Sequence, residues 1–247
     1  MRFFYFFIFL GLIFASDEKL IFDNLSLKKR NDTYLLPVSY QTNKIFDDRK
    51  KMETKFQLSF EKKLFEFLGI ETNFAYTQIS FWQIFQDSAP FRESNYMPEI
   101  YLRKIFDYGY LQNFEIGLLH HSNGKGGEDS RSWNRIFLSS KFECENWQIV
   151  PKIWYKIKEK NDENSNIKDF YGYGEISAKL DLNSQILSLN LRGNIRTKKG
   201  AIELGWGFPL FDSGVSGYIN YFSGYGESLI DYDKKIDKIG AGFILAF

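Results

Sequence analysis

The chain has little of what usually staples, anchors or charges a protein. Its 247 residues include one Cys, two His and five Pro. The lone Cys144 has no partner for an internal disulfide, so it reads as a small apolar filler. Neither charge sign dominates: Lys+Arg 32 stand against Asp+Glu 31, for a formal net charge of +1. With no block of like charge, the chain offers no basic surface to nucleic acid. Beyond residue 16, no continuous apolar run is long enough for a transmembrane helix.

The N-terminus is the exception to that last absence. Arg2 precedes an apolar stretch from Phe3 to Phe14, followed by Ala15 and Ser16. That stretch is too short to span a bilayer as a helix and reads as a cleaved export signal over 1–16. Ile13 or Phe14 stands where a small residue is preferred, and no Cys follows to carry a lipid anchor. The remainder, 17–247, reads as one domain whose charged start, 17–31, is expected to be loosely ordered.

What the chain does have is aromatic residues. Phe numbers 26 and Tyr 15, aromatics reach 19%, yet the mean hydropathy is only -0.34. Apolar and polar residues are therefore interleaved, as in a sheet with one greasy and one wet face. Alternating runs recur near 33–41, 53–62, 67–84, 94–106, 111–122, 131–144, 147–158, 169–182, 185–196, 198–211, 213–228 and 235–247. Leu187, Leu189 and Leu191 oppose Ser188, Asn190 and Arg192, while Ile202, Leu204 and Trp206 oppose Glu203, Gly205 and Gly207. A soluble barrel would turn the apolar set inward. The export signal and the aromatics at strand ends favour apolar-out, and the final strand ends on Phe247. The expected fold is all-β: a transmembrane antiparallel up-and-down β-barrel of about 12 strands in the outer membrane of a Gram-negative cell.

Both histidines lie in His120-His121-Ser122-Asn123-Gly124. On a strand His120 and Ser122 share a face with Phe114, Ile116 and Leu118, which is the lipid-facing exterior. Asn134, in phase with Ile136 and Leu138, points the same way from the next strand. Polar groups that break an apolar face cost desolvation energy. From spacing alone, the ordinary reading is a solvated strand end.

The wider string is more specific. His120-His121-Ser122-Asn123-Gly124-Lys125, then Ser130-Arg131-Ser132-Trp133-Asn134-Arg135, resembles the signature of the outer membrane phospholipase A family. Tyr76-Thr77-Gln78, the run from Pro90 to Tyr96 and Ser223 to Tyr232 agree with it, so the resemblance covers about Tyr34 to Phe247. It implies Ser122 as nucleophile, His120 as general base and Asn134 as the group that orients the imidazole. It implies the backbone N–H of Gly124 at the oxyanion, helped by Ca²⁺. The implied calcium ligands are the Lys125 carbonyl, the Ser130 hydroxyl and the carbonyl of Ser88 of the partner subunit, with waters. None of these oxygens carries charge, so weak calcium binding is expected, and acidic Glu128 and Asp129 nearby could add to it. Lys125 stands where the family has Arg, and the segment before Pro90 is shorter than the family pattern. A ligand shared across subunits makes the active form a homodimer, with Gln78 at its interface.

The implied activity is calcium-dependent hydrolysis of phospholipid acyl esters, as phospholipase A1, phospholipase A2 and lysophospholipase. The alternatives are a non-catalytic barrel, such as a small porin or structural protein, and a lipopolysaccharide acyl hydrolase. Glu93, Arg92 and Arg135 read as interior charge networks, and bulky inward side chains argue against an open pore.

Overall fold

The computed structural model describes residues 26–159, 164–210 and 215–245. The export signal expected over 1–16 and the aromatic terminus at Phe247 lie outside the described residues.

Twelve strands follow in chain order: β1 (Tyr34–Gln41), β2 (Met52–Phe67), β3 (Ile70–Trp82), β4 (Phe91–Tyr108), β5 (Leu111–Ser122), β6 (Ser132–Cys144), β7 (Trp147–Lys156), β8 (Gly174–Leu182), β9 (Gln185–Asn194), β10 (Lys199–Pro209), β11 (Val215–Tyr225) and β12 (Lys235–Leu245). Each pairs antiparallel with its sequence neighbours, and β1 closes on β12 with Tyr34 opposite Ile244 and Gln41 opposite Lys238. Closure removes the free edges that would otherwise seek partners.

The alternation resolves as apolar-out. Leu187, Leu191, Leu204, Trp206, Ile153 and Tyr155 are exposed. Glu53, Lys55, Glu61, Glu99, Glu115 and Lys238, from strands far apart in sequence, are buried inside. Such charges are tolerable there because they are paired. Arg92 binds Glu53 and Asp231, Lys238 bridges Glu53 and Glu227, and Arg103 binds Glu61 and Glu115. Arg135 lies 3.9 Å over the Trp133 ring, and Glu93 accepts from Asn95 and from the backbone N–H of Ile230. An interior cavity of about 590 Å³ remains, lined by charged groups that include Arg30, Glu99, Arg135 and Lys152.

Loop length orients the barrel. At one end the turns are tight, at 68–69, 109–110, 145–146 and 183–184; at the other, 42–51, 83–90, 123–131 and 157–173 are long. Outer-membrane barrels keep short turns in the periplasm and long loops outside. The end of β5 and the start of β6 therefore lie toward the outer leaflet.

Several elements differ from the sequence expectation. The strand expected over 53–62 runs on to Phe67, turning through Leu68 and Gly69 at φ of 51° and 71°. This tight hairpin turn with both central residues left-handed keeps the strands paired through 63–66, where the sequence expectation had a gap between runs. The strand expected from 169 starts at Gly174, because Lys168–Tyr171 forms a helical turn, α1, that buries Phe170 and Tyr171. The charged segment up to Asn31 was expected to be loose, but its described part, from Ser26, is fixed. Lys28 and Glu61 exchange backbone hydrogen bonds, Arg30 binds Glu99 and Glu115, and Asn31 donates to Thr77. Glu99 and Glu115, with Glu61 3.7 Å from Arg30, come from three strands and supply a partner that no local sequence window displays.

Candidate active site

The site rests on the β5–β6 pair. In register, His120 faces Asn134 and Ser122 faces Ser132. Ile116, Leu118 and Ile136, on the same parity, are exposed, so this face is the barrel exterior. His120 Nδ1 and Asn134 Oδ1 lie 2.8 Å apart. Asn134 Oδ1 can only accept, so Nδ1 carries the proton and Nε2 is left as the basic nitrogen. Ser122 is two residues further along the same face, and no hydrogen bond joins it to His120 among the described residues.

The opposite parity anchors this pair from inside. His121 and Trp133 are buried, and Trp133 Nε1 donates to His121 Nδ1 at 3.3 Å. Trp133 packs edge-on against Tyr171 and Trp154. The aromatic stack leaves the strand pair little freedom to shift, which holds the outward side chains in place.

The loop 123–131 is organised by Asn123. Its backbone N–H donates to the Arg131 carbonyl, and its side-chain oxygen accepts the N–H groups of Arg131 (3.0 Å) and Lys125 (3.3 Å). Its side-chain amide donates to the Asp129 carbonyl at 2.8 Å. Gly124 has φ of +65°, and a Cβ there would meet the Tyr96 ring at 3.0 Å, so this left-handed turn suits glycine. Lys125 turns its side chain toward the Arg92 carbonyl and Glu93. Gly127–Asp129 forms a 3₁₀ turn that ends at Ser130, with Glu128 and Asp129 exposed. Among the described residues no cluster of three His, Cys, Asp or Glu side chains could hold a metal. The expected ligands are neutral oxygens instead, a donor set that suits a hard cation.

The loop 226–234 packs beside this one. Asp231 is fully buried between Arg49, at 2.6 Å, and Arg92, at 2.8 Å. Burial alone would raise its carboxyl, but the hydrogen bonds and charges of the two arginines hold it far below the usual carboxylate range.

The remaining expected residues lie apart from this pair. Ser88 is at an exposed tip of the β3–β4 loop with φ of 61°. Gln78 is on the exterior of β3, accepting from the Tyr76 hydroxyl at 2.9 Å and donating to Ser80 at 3.0 Å. Two residues that the sequence reading did not place at the site belong beside it. Tyr96, opposite Ser122 on β4, overhangs Gly124. Glu159, past the end of β7, accepts from Asn134 Nδ2 at 2.9 Å. Tyr96 lay within a matching motif; Glu159 lay in a stretch that carries no signal.

A closed barrel with an apolar exterior, long outer loops and a polar constellation on its lipid-facing surface defines an outer-membrane protein. The Phospholipase A1 family model matches residues 13–245. A phospholipase A1 of Proteus vulgaris is 38% identical over 208 residues, covering 81% of this chain and 71% of the relative. The outer membrane phospholipase A of Escherichia coli superposes with a TM-score of 0.84 at 33% identity, over 89% of this chain and 91% of that one. A calcium-bound dimer of the Salmonella typhi outer membrane phospholipase matches with a TM-score of 0.83 at 32% identity, over the same shares. The chain belongs to the outer membrane phospholipase A family and is a β-barrel enzyme of the Gram-negative outer membrane.

Proposed function

We propose that the chain hydrolyses acyl esters of phospholipids and lysophospholipids at the outer leaflet, with Ser122, His120 and Asn134 as the reacting constellation. The observation that carries this is the 2.8 Å contact between His120 Nδ1 and Asn134 Oδ1 on the lipid-facing surface, two residues from Ser122. Water-filled interior sites would not meet a membrane lipid; this surface does.

In this reading His120 Nε2 takes the Ser122 proton as Oγ attacks the ester carbonyl carbon. The tetrahedral oxyanion is held by the backbone N–H of Gly124. The intermediate collapses with cleavage of the C–O bond, and the imidazolium returns its proton to the departing glycerol oxygen. A water then attacks the acyl-serine by the same route in reverse, releasing the fatty acid. Asn134 fixes the imidazole angle and tautomer throughout.

We assign calcium to the outer loop, whose neutral oxygens suit it. Its ligands would be the Lys125 carbonyl, the Ser130 hydroxyl and the carbonyl of Ser88 of the partner subunit, and it would supply positive charge near the developing oxyanion. The calcium-bound dimer of the Salmonella typhi relative supports this, and so does the exterior position of Gln78, whose polar side chain a second copy would cover. Because one ligand comes across the interface, calcium binding and dimerisation would strengthen each other by the same factor. Residues 1–16 are read as the export signal.

Defined phosphatidylcholine in detergent, assayed with and without a chelator, tests the reading. Free fatty acid should appear with calcium, chelation should stop its release and shift the protein toward monomer, and Ser122→Ala should abolish it in a folded barrel. Hydrolysis of lipid A acyl chains but not of phospholipid would assign another substrate. Turnover per subunit that stays constant across a dilution producing monomers would remove the shared calcium site.

A further inference from the structure

Asn134 is held at both ends. Its oxygen faces His120, and its Nδ2 donates at 2.9 Å to Glu159 Oε1. Glu159 arrives there by strand geometry. Ile157 N donates to the Asn134 carbonyl, continuing the β6–β7 ladder one step past Lys156. Two residues on, Glu159 shares the parity of Ile153 and Tyr155, which are exposed on the outer surface. A carboxylate is thus delivered to the rim of the lipid face, diagonal to Asn134, where it remains half-buried.

The chemistry of the two contacts is directional. An amide side chain has a donor end and an acceptor end of nearly equal shape, so packing alone scarcely decides which end faces the imidazole. An ionised carboxylate accepts and cannot donate. Placed against Asn134 it selects the orientation with Nδ2 toward Glu159 and Oδ1 toward His120. That orientation in turn requires the Nδ1–H tautomer of His120 and leaves Nε2 free for the Ser122 proton. The same contact polarises the amide: a negative charge on its N–H end makes Oδ1 a better acceptor when the imidazole becomes a cation. Neutral Asn is by itself a weaker partner for imidazolium than a carboxylate, and Glu159 restores part of the missing charge one bond further out.

We propose that Glu159 is a positioning residue of this enzyme, fixing and polarising Asn134 so that its oxygen faces His120. The inference rests on the Ser122–His120–Asn134 reading above.

Steady-state turnover of phosphatidylcholine by folded, heat-modifiable barrels tests it, with Glu159→Ala, Glu159→Gln, Asn134→Ala, His120→Ala and the Asn134→Ala/Glu159→Ala double variant. Loss of one charge-assisted hydrogen bond at this half-exposed site should lower kcat about tenfold in Glu159→Ala and leave KM within about twofold. Glu159→Gln should fall between it and wild type, since Gln keeps an acceptor but loses the charge and the directionality. In the Asn134→Ala background, removing Glu159 should change kcat by less than about twofold, because its effect passes through Asn134. Wild-type kcat in Glu159→Ala, with His120→Ala inactive, overturns the role of Glu159 alone. An undiminished effect in the Asn134→Ala background shows that Glu159 acts elsewhere and also overturns it. Full activity in His120→Ala would instead overturn the underlying reading, and this inference with it.

Discussion

Asn123 and Arg131, at the two ends of the outer β5–β6 loop, are clamped by two hydrogen bonds, Asn123 N to the Arg131 carbonyl and Arg131 N to Asn123 Oδ1, while Asn123 Nδ2 donates to the Asp129 carbonyl two residues earlier. The span between them holds Gly124, Lys125 and Ser130. A buried amide that satisfies several main-chain groups fixes a loop that would otherwise be long and open.

Asn123→Ala should therefore loosen the loop without unfolding the barrel. The loss of buried hydrogen bonds costs about 1–3 kcal/mol locally, and activity should fall at least about fivefold if that loss appears in the barrier. Calcium titrations of fatty-acid release check it: the variant should need more calcium to reach its lower plateau. Unchanged calcium dependence and rate would show that the clamp does not shape the site.

Arg30 ties the N-terminal segment into the barrel through Glu99 and Glu115, with side-chain exposures of 11%, 3% and 5%. Removing one partner of a buried ion pair leaves uncompensated charge, worth roughly 3–5 kcal/mol, though Lys152 and Arg103 remain to offset part of it here. Arg30→Ala should lower the temperature at which the folded gel band converts to the unfolded one. Specific activity of the folded fraction should stay near wild type, since Arg30 is inside and the site is outside.

Acid should release the loop 226–234 before the barrel. The Asp231 carboxyl is held below its usual range by Arg49 and Arg92, so it binds protons more readily in the unfolded loop than in the folded one. Its contribution is present in full above the ordinary carboxylate pKa, about 4, and is lost as pH falls through that value toward the depressed one. The protection of residues 226–234 against hydrogen exchange, taken relative to the intrinsic rate at each pH, should fall below about pH 4. Asp231→Asn should show low protection already at neutral pH, with little further loss of protection in acid.

The barrel was legible in the sequence because its signal is local. Leu187, Leu189 and Leu191 against Ser188 and Asn190 declare a strand and its faces within a few residues, and β9 lies where the pattern put it. The placement of His120, Ser122 and Asn134 on one exterior face was legible through parity, and their grouping through the paired motif. Arg30 was not, because the carboxylates that fix it sit on β4 and β5, 69 and 85 positions away in sequence. Glu159 was not, because it follows the last alternating residue of β7 and is 25 positions from Asn134. The start of β8 was misplaced for a related reason: Phe170 and Tyr171 look like strand aromatics, yet they pack inward from the helical turn α1, Tyr171 against Trp133. Local alternation carries the sheet; contacts between residues far apart in sequence are invisible to it.

The central claim is that Ser122 attacks and His120 activates it. A fluorophosphonate probe, which bonds to an activated serine oxygen with loss of fluoride, tests both at once when the labelled peptide is read by mass spectrometry. The account predicts one adduct, on Ser122, formed in step with loss of phospholipid hydrolysis and absent from folded His120→Ala. Complete inactivation with the adduct on another residue, or labelling of Ser122 at an undiminished rate in His120→Ala, would contradict it.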